Sequence, residues 1–287
     1  MRALLLTLFL SSSGGATSPT PPSPPVPLPE ALRFPHPLGD SFLLRPGSCT
    51  PACPLVVVSH SRGISAELSL TRPHLRSLFA RLTAAGYAVL LSNDAGPTSW
   101  GAPQALTYLA DMRERAVRTF PFNGRTYAFG YSMGGLPALL TAYKGIYPVS
   151  GVVLLDAQVK LLDVWQGGNP VFSAEVTAAH GLKASEPLPL GQDPYTDFPG
   201  PEARRLPLLV AGSAQDQVVS FGRNGQALFE RNASPESRLL LLTGPHLGAS
   251  HFGDALQNDV LSFLGRLERA GQDIRDGERE AGPPGSQ

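Results

Sequence analysis

The sequence predicts an α/β fold with a mostly parallel central sheet and helices on both faces. Short apolar runs recur along the chain and alternate with segments whose apolar residues fall at helical spacing. The first run, Leu55-Val56-Val57-Val58, shows no polar alternation, as expected of a strand buried on both faces of a parallel sheet. The chain has 287 residues, 42% hydrophobic and 16% charged. That is enough for one large domain with a substantial core, or two small ones, and argues against disorder throughout.

The elements follow in order. Leu75, Leu78, Phe79 and Leu82 mark one face of a helix, with Thr71 as its expected cap, Pro73 in its first turn and Gly86 at its end. Strands are expected over 87–92, 125–131, 152–155, 206–211 and 238–242. Helices are expected over 103–118, 133–144, 220–231 and 252–269. Such alternation implies a parallel sheet. In sheets of this kind reactive groups sit beyond the carboxyl ends of the strands.

The flanks differ in composition. Residues 1–16 read as a secretory signal peptide: Arg2, an apolar run over 3–10, then small residues to Ala16. The run is too short to span a bilayer, so no stable membrane span is expected and the protein is expected to be secreted or periplasmic. Residues 17–30 are a Pro-rich linker, 31–270 the folded domain, and 271–287 a charged, Gly- and Pro-containing tail expected to be disordered. Within the domain, 157–205 form a cap-like insert between two strands. Lys+Arg and Asp+Glu both number 23. The basic footprint of a nucleic-acid binder is therefore missing. Cys49 and Cys53 stand in Cys-Thr-Pro-Ala-Cys with no second pair to complete a metal site. A local disulfide and two free thiols both fit that spacing.

The chemistry centres on Gly130-Tyr131-Ser132-Met133-Gly134-Gly135. Gly-x-Ser-x-Gly between a strand and a helix is the pattern of a sharp turn that lifts a serine hydroxyl to the sheet edge. Ser132 is thus the candidate nucleophile. It needs a basic histidine and a carboxylate that orients it. His246 and His251 both follow the last strand, and His251, directly before the final helix, is the favoured base. Asp216 follows the strand over 206–211 and is the favoured acid, with Asp156, at the end of the strand over 152–155, as the alternative. Two backbone amides should face the oxyanion: that of Met133 and, from the loop after the first core strand, that of Arg62, with Ser61 in reserve. Trp165, Phe172, Tyr195 and Phe198 of the insert either line an acyl pocket or fasten the insert to the core.

These motifs resemble those of the α/β-hydrolase superfamily. Gly-Tyr-Ser-Met-Gly-Gly at 130–135, Gly-Ser-Ala-Gln-Asp-Gln-Val-Val at 212–219 and Gly-Ala-Ser-His-Phe at 248–252 are similar to bacterial cutinase-like polyester hydrolases and their dienelactone-hydrolase-like relatives. The resemblance implies Ser132, Asp216 and His251 as triad, with Arg62 and Met133 at the oxyanion. It departs at Arg62, where that family often has an aromatic residue, and at Ala157-Gln158, where it tends to have Trp. Leu154-Leu155-Asp156-Ala157 instead looks like the secreted phospholipase type (platelet-activating-factor acetylhydrolase), whose acid follows this strand. The expected activity is hydrolysis of small to medium acyl esters through an acyl-enzyme, on a small-molecule ester substrate and without metal or organic cofactor. Acetylhydrolase or peptidase activity, or a non-catalytic binding protein, are the alternatives.

Overall fold

The computed structural model describes residues 27–183, 186–199 and 206–280, with side chains described up to residue 273. The expected signal peptide, most of the linker and the last seven residues of the tail lie outside them. In chain order the strands and α-helices are β1 Ala31–Phe34, β2 Ser41–Leu44, β3 Cys53–Ser59, α1 Ala66–Thr71, α2 Pro73–Ala84, β4 Ala88–Leu91, α3 Pro103–Val117, β5 Phe122–Tyr131, α4 Gly135–Tyr143, β6 Val152–Leu155, α5 Leu161–Gln166, α6 Pro170–Ala179, α7 Pro194–Asp197, β7 Leu208–Ser213, α8 Ala227–Asn232, β8 Arg238–Leu242 and α9 Asp254–Glu280.

One sheet runs β1-β2-β4-β3-β5-β6-β7-β8. The six strands from β4 to β8 in that order are parallel, whereas β1 and β2 form an antiparallel edge. β3, β4, β6 and β7 are buried at every residue, because helices cover both faces. One apolar layer unites α2, α9 and one face of the sheet through Leu78, Phe79, Tyr127, Phe129, Val260 and Phe263. A second packs α3 against the other face through Leu55, Val57, Leu90, Leu109 and Met112.

Several expectations are corrected. β1, β2 and α1 are additional elements, too short to show a period in the sequence. The start of α2 is capped by Arg72, with Pro73 in its first turn; Thr71 instead closes α1, whose own cap is Ser65, accepting from the Leu68 amide at 3.1 Å. The insert is more regular than its composition suggests and carries α5, α6 and α7. The final helix does not stop near residue 269 but runs to Glu280, and so takes in residues 271–280 of the expected tail. Gln, Glu and Arg are good helix formers. Gly271 also gives the helix room beside β5, since a Cβ there would lie 1.7 Å from Arg125 Nη1. Arg125 Nε and Tyr127 Oη both donate to Glu268 Oε1, at 2.9 and 2.5 Å, which fastens α9 across β5. Cys49 and Cys53 are joined in a disulfide. No helix among the described residues is long and apolar enough to cross a membrane.

Register places the site. Ser59 pairs with Gly130, Tyr131 with Leu155, Leu155 with Ala211, and Ser213 with Leu242. The carboxyl ends of β3, β5, β6, β7 and β8 therefore emerge along one edge, and the loops that follow them share one surface. Phe263 sits in the layer under α9 with 1% of its surface exposed. Phe263→Ala is expected to cost about 3–5 kcal/mol, read as a lower urea midpoint with an unchanged slope.

Candidate active site

β5 ends at Tyr131, and the chain then bends sharply at Ser132, which has φ +53°. A non-glycine residue in that region carries about 1–3 kcal/mol of strain, so the surroundings must hold it. Close backbone packing does so. A Cβ on Gly130 would lie 2.3 Å from the Gly134 carbonyl oxygen, one on Gly134 2.1 Å from the Ser59 oxygen, and one on Gly135 2.6 Å from Ala157 Cβ. The Ser132 carbonyl accepts the Gln158 amide at 2.9 Å. The turn is thus clamped between the ends of β3 and β6, and its hydroxyl points toward the loop after β8.

That loop carries His246. Gly244 at φ +116° and Leu247 at φ +49° turn it back over the sheet edge. His246 Nε2 lies 2.9 Å from Ser132 Oγ, and Nδ1 lies 2.6 Å from Asp216 Oδ2. Asp216 follows β7, and its Oδ1 accepts the amides of Val218 and Val219 at 2.8 and 2.9 Å. Its side chain is wholly buried, while that of His246 is 14% exposed. A carboxylate engaged as an acceptor on both oxygens keeps the hydrogen on Nδ1. The Nε2 lone pair is then left to accept the Ser132 hydroxyl.

His251 is not the partner of Ser132, which overturns the expected assignment of the base. Its Nδ1 faces Asp156 Oδ2 at 2.6 Å, and its Nε2 faces the Thr243 carbonyl at 3.2 Å. Neither nitrogen is available to the nucleophile, and the ring is fully buried. The physical reason is its place in the 3₁₀ turn Ala249–Phe252, which leads into α9 and inserts Phe252 into the core. That turn draws the adjacent ring beneath the sheet edge. His246 stands nearer the end of β8, on the part of the loop that crosses the site. The sequence held one signal for this, the Gly244-Pro245 turn directly before His246. Asp156, the alternative acid, also serves His251: it ends β6 at φ +45° and bonds neither Ser132 nor His246.

A cavity of about 480 Å³ opens over Ser132. Ser61, Arg62, Met133 and His246 line it beside Ser132, with Trp100, Val164 and Phe172 forming an apolar wall. Of the four insert aromatics singled out in the sequence, only Phe172 lines the cavity. Trp165 packs in the cluster behind it, Tyr195 lies against the core, and Phe198 stacks on Tyr143 at 5.3 Å. Trp100, at φ +47° after β4, has no local pattern that would have marked it.

The Arg62 side chain is not a free surface cation. Its Nε and Nη2 donate to Glu175 Oε2 and Oε1 at 2.7 and 2.5 Å, and Trp100 Nε1 donates to the same carboxylate at 3.1 Å. The guanidinium also lies 4.9 Å from the Phe172 ring centre. This strap ties α6 of the insert to the loop after β3. The Arg62 hydrogen bond holds the Glu175 carboxyl below its ordinary range, and Glu175 raises the guanidinium in turn.

Beneath the same loop, His60 is buried with its Nδ1 2.8 Å from the Ser61 carbonyl and its Nε2 3.1 Å from that of Asn93. Asp94, at φ +51°, accepts from Ser59 Oγ and the His60 amide at 3.2 and 3.3 Å. Burial pushes the Asp94 carboxyl up, against the attraction of His60.

No protein-family model matches this sequence, and no curated protein matches it. Solved structures do. The match to Est1E from Butyrivibrio proteoclasticus covers 83% of this chain and 99% of that one, at 16% identity and a TM-score of 0.62. The fluorophosphonate-binding serine hydrolase FphF of Staphylococcus aureus matches over 82% of this chain and 97% of its own, at 14% identity and a TM-score of 0.63. The Pyrococcus furiosus esterase Pf2001 matches over 83% and 90%, at 17% identity and a TM-score of 0.60. The chain has the α/β-hydrolase fold.

The Glu175 carboxyl is lowered in the folded protein, so its ion pair supports the insert above the ordinary carboxylate range and is lost as pH falls through the lowered one. Both tryptophans, Trp100 and Trp165, lie in the cluster beside it. Acid titration should therefore change intrinsic fluorescence at the low-pH end. Glu175→Gln should show altered emission already at pH 7 and lack that transition.

Proposed function

We propose that this chain is a serine esterase cleaving carboxylic esters of small to medium acyl chain. The observation that carries the reading is the hydrogen-bonded row Ser132–His246–Asp216 opening into a cavity with an apolar wall. Solved structures of the same fold that are named as esterases and serine hydrolases support it. In this reading His246 Nε2 takes the Ser132 proton as Oγ attacks the ester carbonyl. Asp216 holds the imidazolium. The amides of Met133 and Arg62 receive the oxyanion. His246 returns the proton to the leaving alcohol, and water, deprotonated by His246, releases the acid from Ser132.

The finer kinship with cutinase-like hydrolases rests on the segments around Ser132 and Asp216 alone. The Ala-Ser-His-Phe segment, which in that family supplies the base, here binds Asp156.

Export is part of the proposal. The Cys49–Cys53 disulfide suits an oxidising compartment, and the N-terminal 16 residues have the layout of a signal. Sequencing the N-terminus of the mature protein from its native source should start near residue 17.

A fluorophosphonate should label the purified protein once, at Ser132. Ser132→Ala and His246→Ala should each lower kcat on p-nitrophenyl butyrate by roughly 10⁶-fold, and Asp216→Asn by about 10⁴-fold. Turnover surviving in Ser132→Ala would rule the reading out.

A further inference from the structure

The site contains a second acid–histidine pair that the proposed reaction does not use. Asp156 Oδ2 accepts the Leu247 amide at 2.8 Å and faces His251 Nδ1 at 2.6 Å, while His251 Nε2 faces the Thr243 carbonyl at 3.2 Å. Thr243 and Leu247 flank His246. The pair therefore grips the loop on both sides of the proposed base. Ser250 Oγ adds a bond to the same Thr243 carbonyl at 3.0 Å, and Gly244, at φ +116°, takes a backbone conformation that a side chain would strain, with a Cβ there 3.2 Å from Ser250 Oγ. Leu247 is held at φ +49°, a conformation that needs outside support.

The hydrogen bonds also fix a charge. A carbonyl only accepts, so Nε2 carries a hydrogen. The short Nδ1···Oδ2 contact holds another. With one hydrogen on Nε2 and another between Nδ1 and Oδ2, wherever that second one sits, Asp156 and His251 together would be neutral. This matters because an Asp156 oxygen, an Asp216 oxygen and a His246 nitrogen all lie within 4.8 Å of one another. Asp156 Oδ1 is buried and has no hydrogen-bond partner among the described residues. Without His251 a bare carboxylate would stand beside the triad.

We propose that Asp156 and His251 are positioning residues, a neutral pair that fixes the His246 loop and cancels the Asp156 charge next to Asp216 and His246. The inference rests on the esterase reading for its kinetic consequence but not for its structural one. Other titratable groups near the loop among the described residues include His74 of α2, whose ring lies 4.5 Å from that of Phe252 just after the loop, and Asp254 at the start of α9, which is largely exposed and pairs with Arg81.

The test uses the full chain and its His251→Asn, Asp156→Asn and doubly substituted forms, with the His246 ring titrated by NMR beside turnover of p-nitrophenyl butyrate. In His251→Asn the unbalanced Asp156 favours the imidazolium of His246. Its titration, and the acid limb of kcat/KM, should move up by about one pH unit. In Asp156→Asn and in the double variant no extra carboxylate remains, and the titration should lie within a few tenths of a unit of wild type. The kcat of His251→Asn should fall about 10–100-fold with KM changed less than about threefold, as expected of a misplaced base. An unmoved His246 titration in His251→Asn overturns the proposal. So does an Asp156→Asn variant as inactive as Asp216→Asn, which would make Asp156 the acid of the triad. A wild-type chain that neither turns over ester nor takes the fluorophosphonate would sink the esterase reading alone. The NMR titration would then still decide the role of the pair. If His251→Asn does not fold, the Asp156→Asn titration decides: a shift of a full unit there refutes neutrality.

Discussion

Ser132 holds its strained turn because three backbone segments meet where no side chain can fit. Gly134 presses on the carbonyl end of β3, Gly135 on Ala157 just beyond β6, and Gly130 on the turn itself. The same contacts fix the Met133 amide and the start of the loop that carries Arg62. Nucleophile and proposed oxyanion donors therefore form one rigid unit. Strain at Ser132 is offset by packing that the parallel sheet supplies through the common register of its strand ends.

Opposite this rigid unit stands a loop with little regular structure. Residues 243–251 follow the edge strand β8, and one side of that strand faces solvent, with Leu241 72% exposed. The sheet alone gives such a loop few contacts. Two buried carboxylates, one at the end of β6 and one beyond β7, supply what the sheet does not. Asp216 takes the ring of His246, and Asp156 takes the backbone beside it. The division follows from reach: each carboxylate meets the part of the loop that crosses its own strand.

The insert adds the third wall. It hangs on the Arg62–Glu175–Trp100 strap and on the apolar cluster of Trp100, Met133, Leu136, Leu161 and Val176. Arg62 thus has two separable parts. Its backbone belongs to the loop facing Ser132, while its side chain fixes how far α6 stands from that loop. Any widening of the cavity on this side would work against that ion pair.

The sequence by itself determined the parallel core, the turn at Ser132 and the placing of Asp216 beyond a strand. Each of these is written in neighbouring residues: unbroken apolar runs, Gly-x-Ser-x-Gly after a strand, and a carboxylate just past the next apolar run but one. Tertiary structure decided the rest. The edge strands β1 and β2 exist through pairing to β4, not through a pattern of their own. The last helix passes Ala270 at a point where Gly271 clears Arg125, more than a hundred residues away in the chain. The choice between His246 and His251 lay in how a nine-residue loop closes over the sheet. Both imidazoles have the same chemistry and nearly the same address, and only the direction in which Phe252 enters the core separates the one that meets Ser132 from the one that meets Asp156.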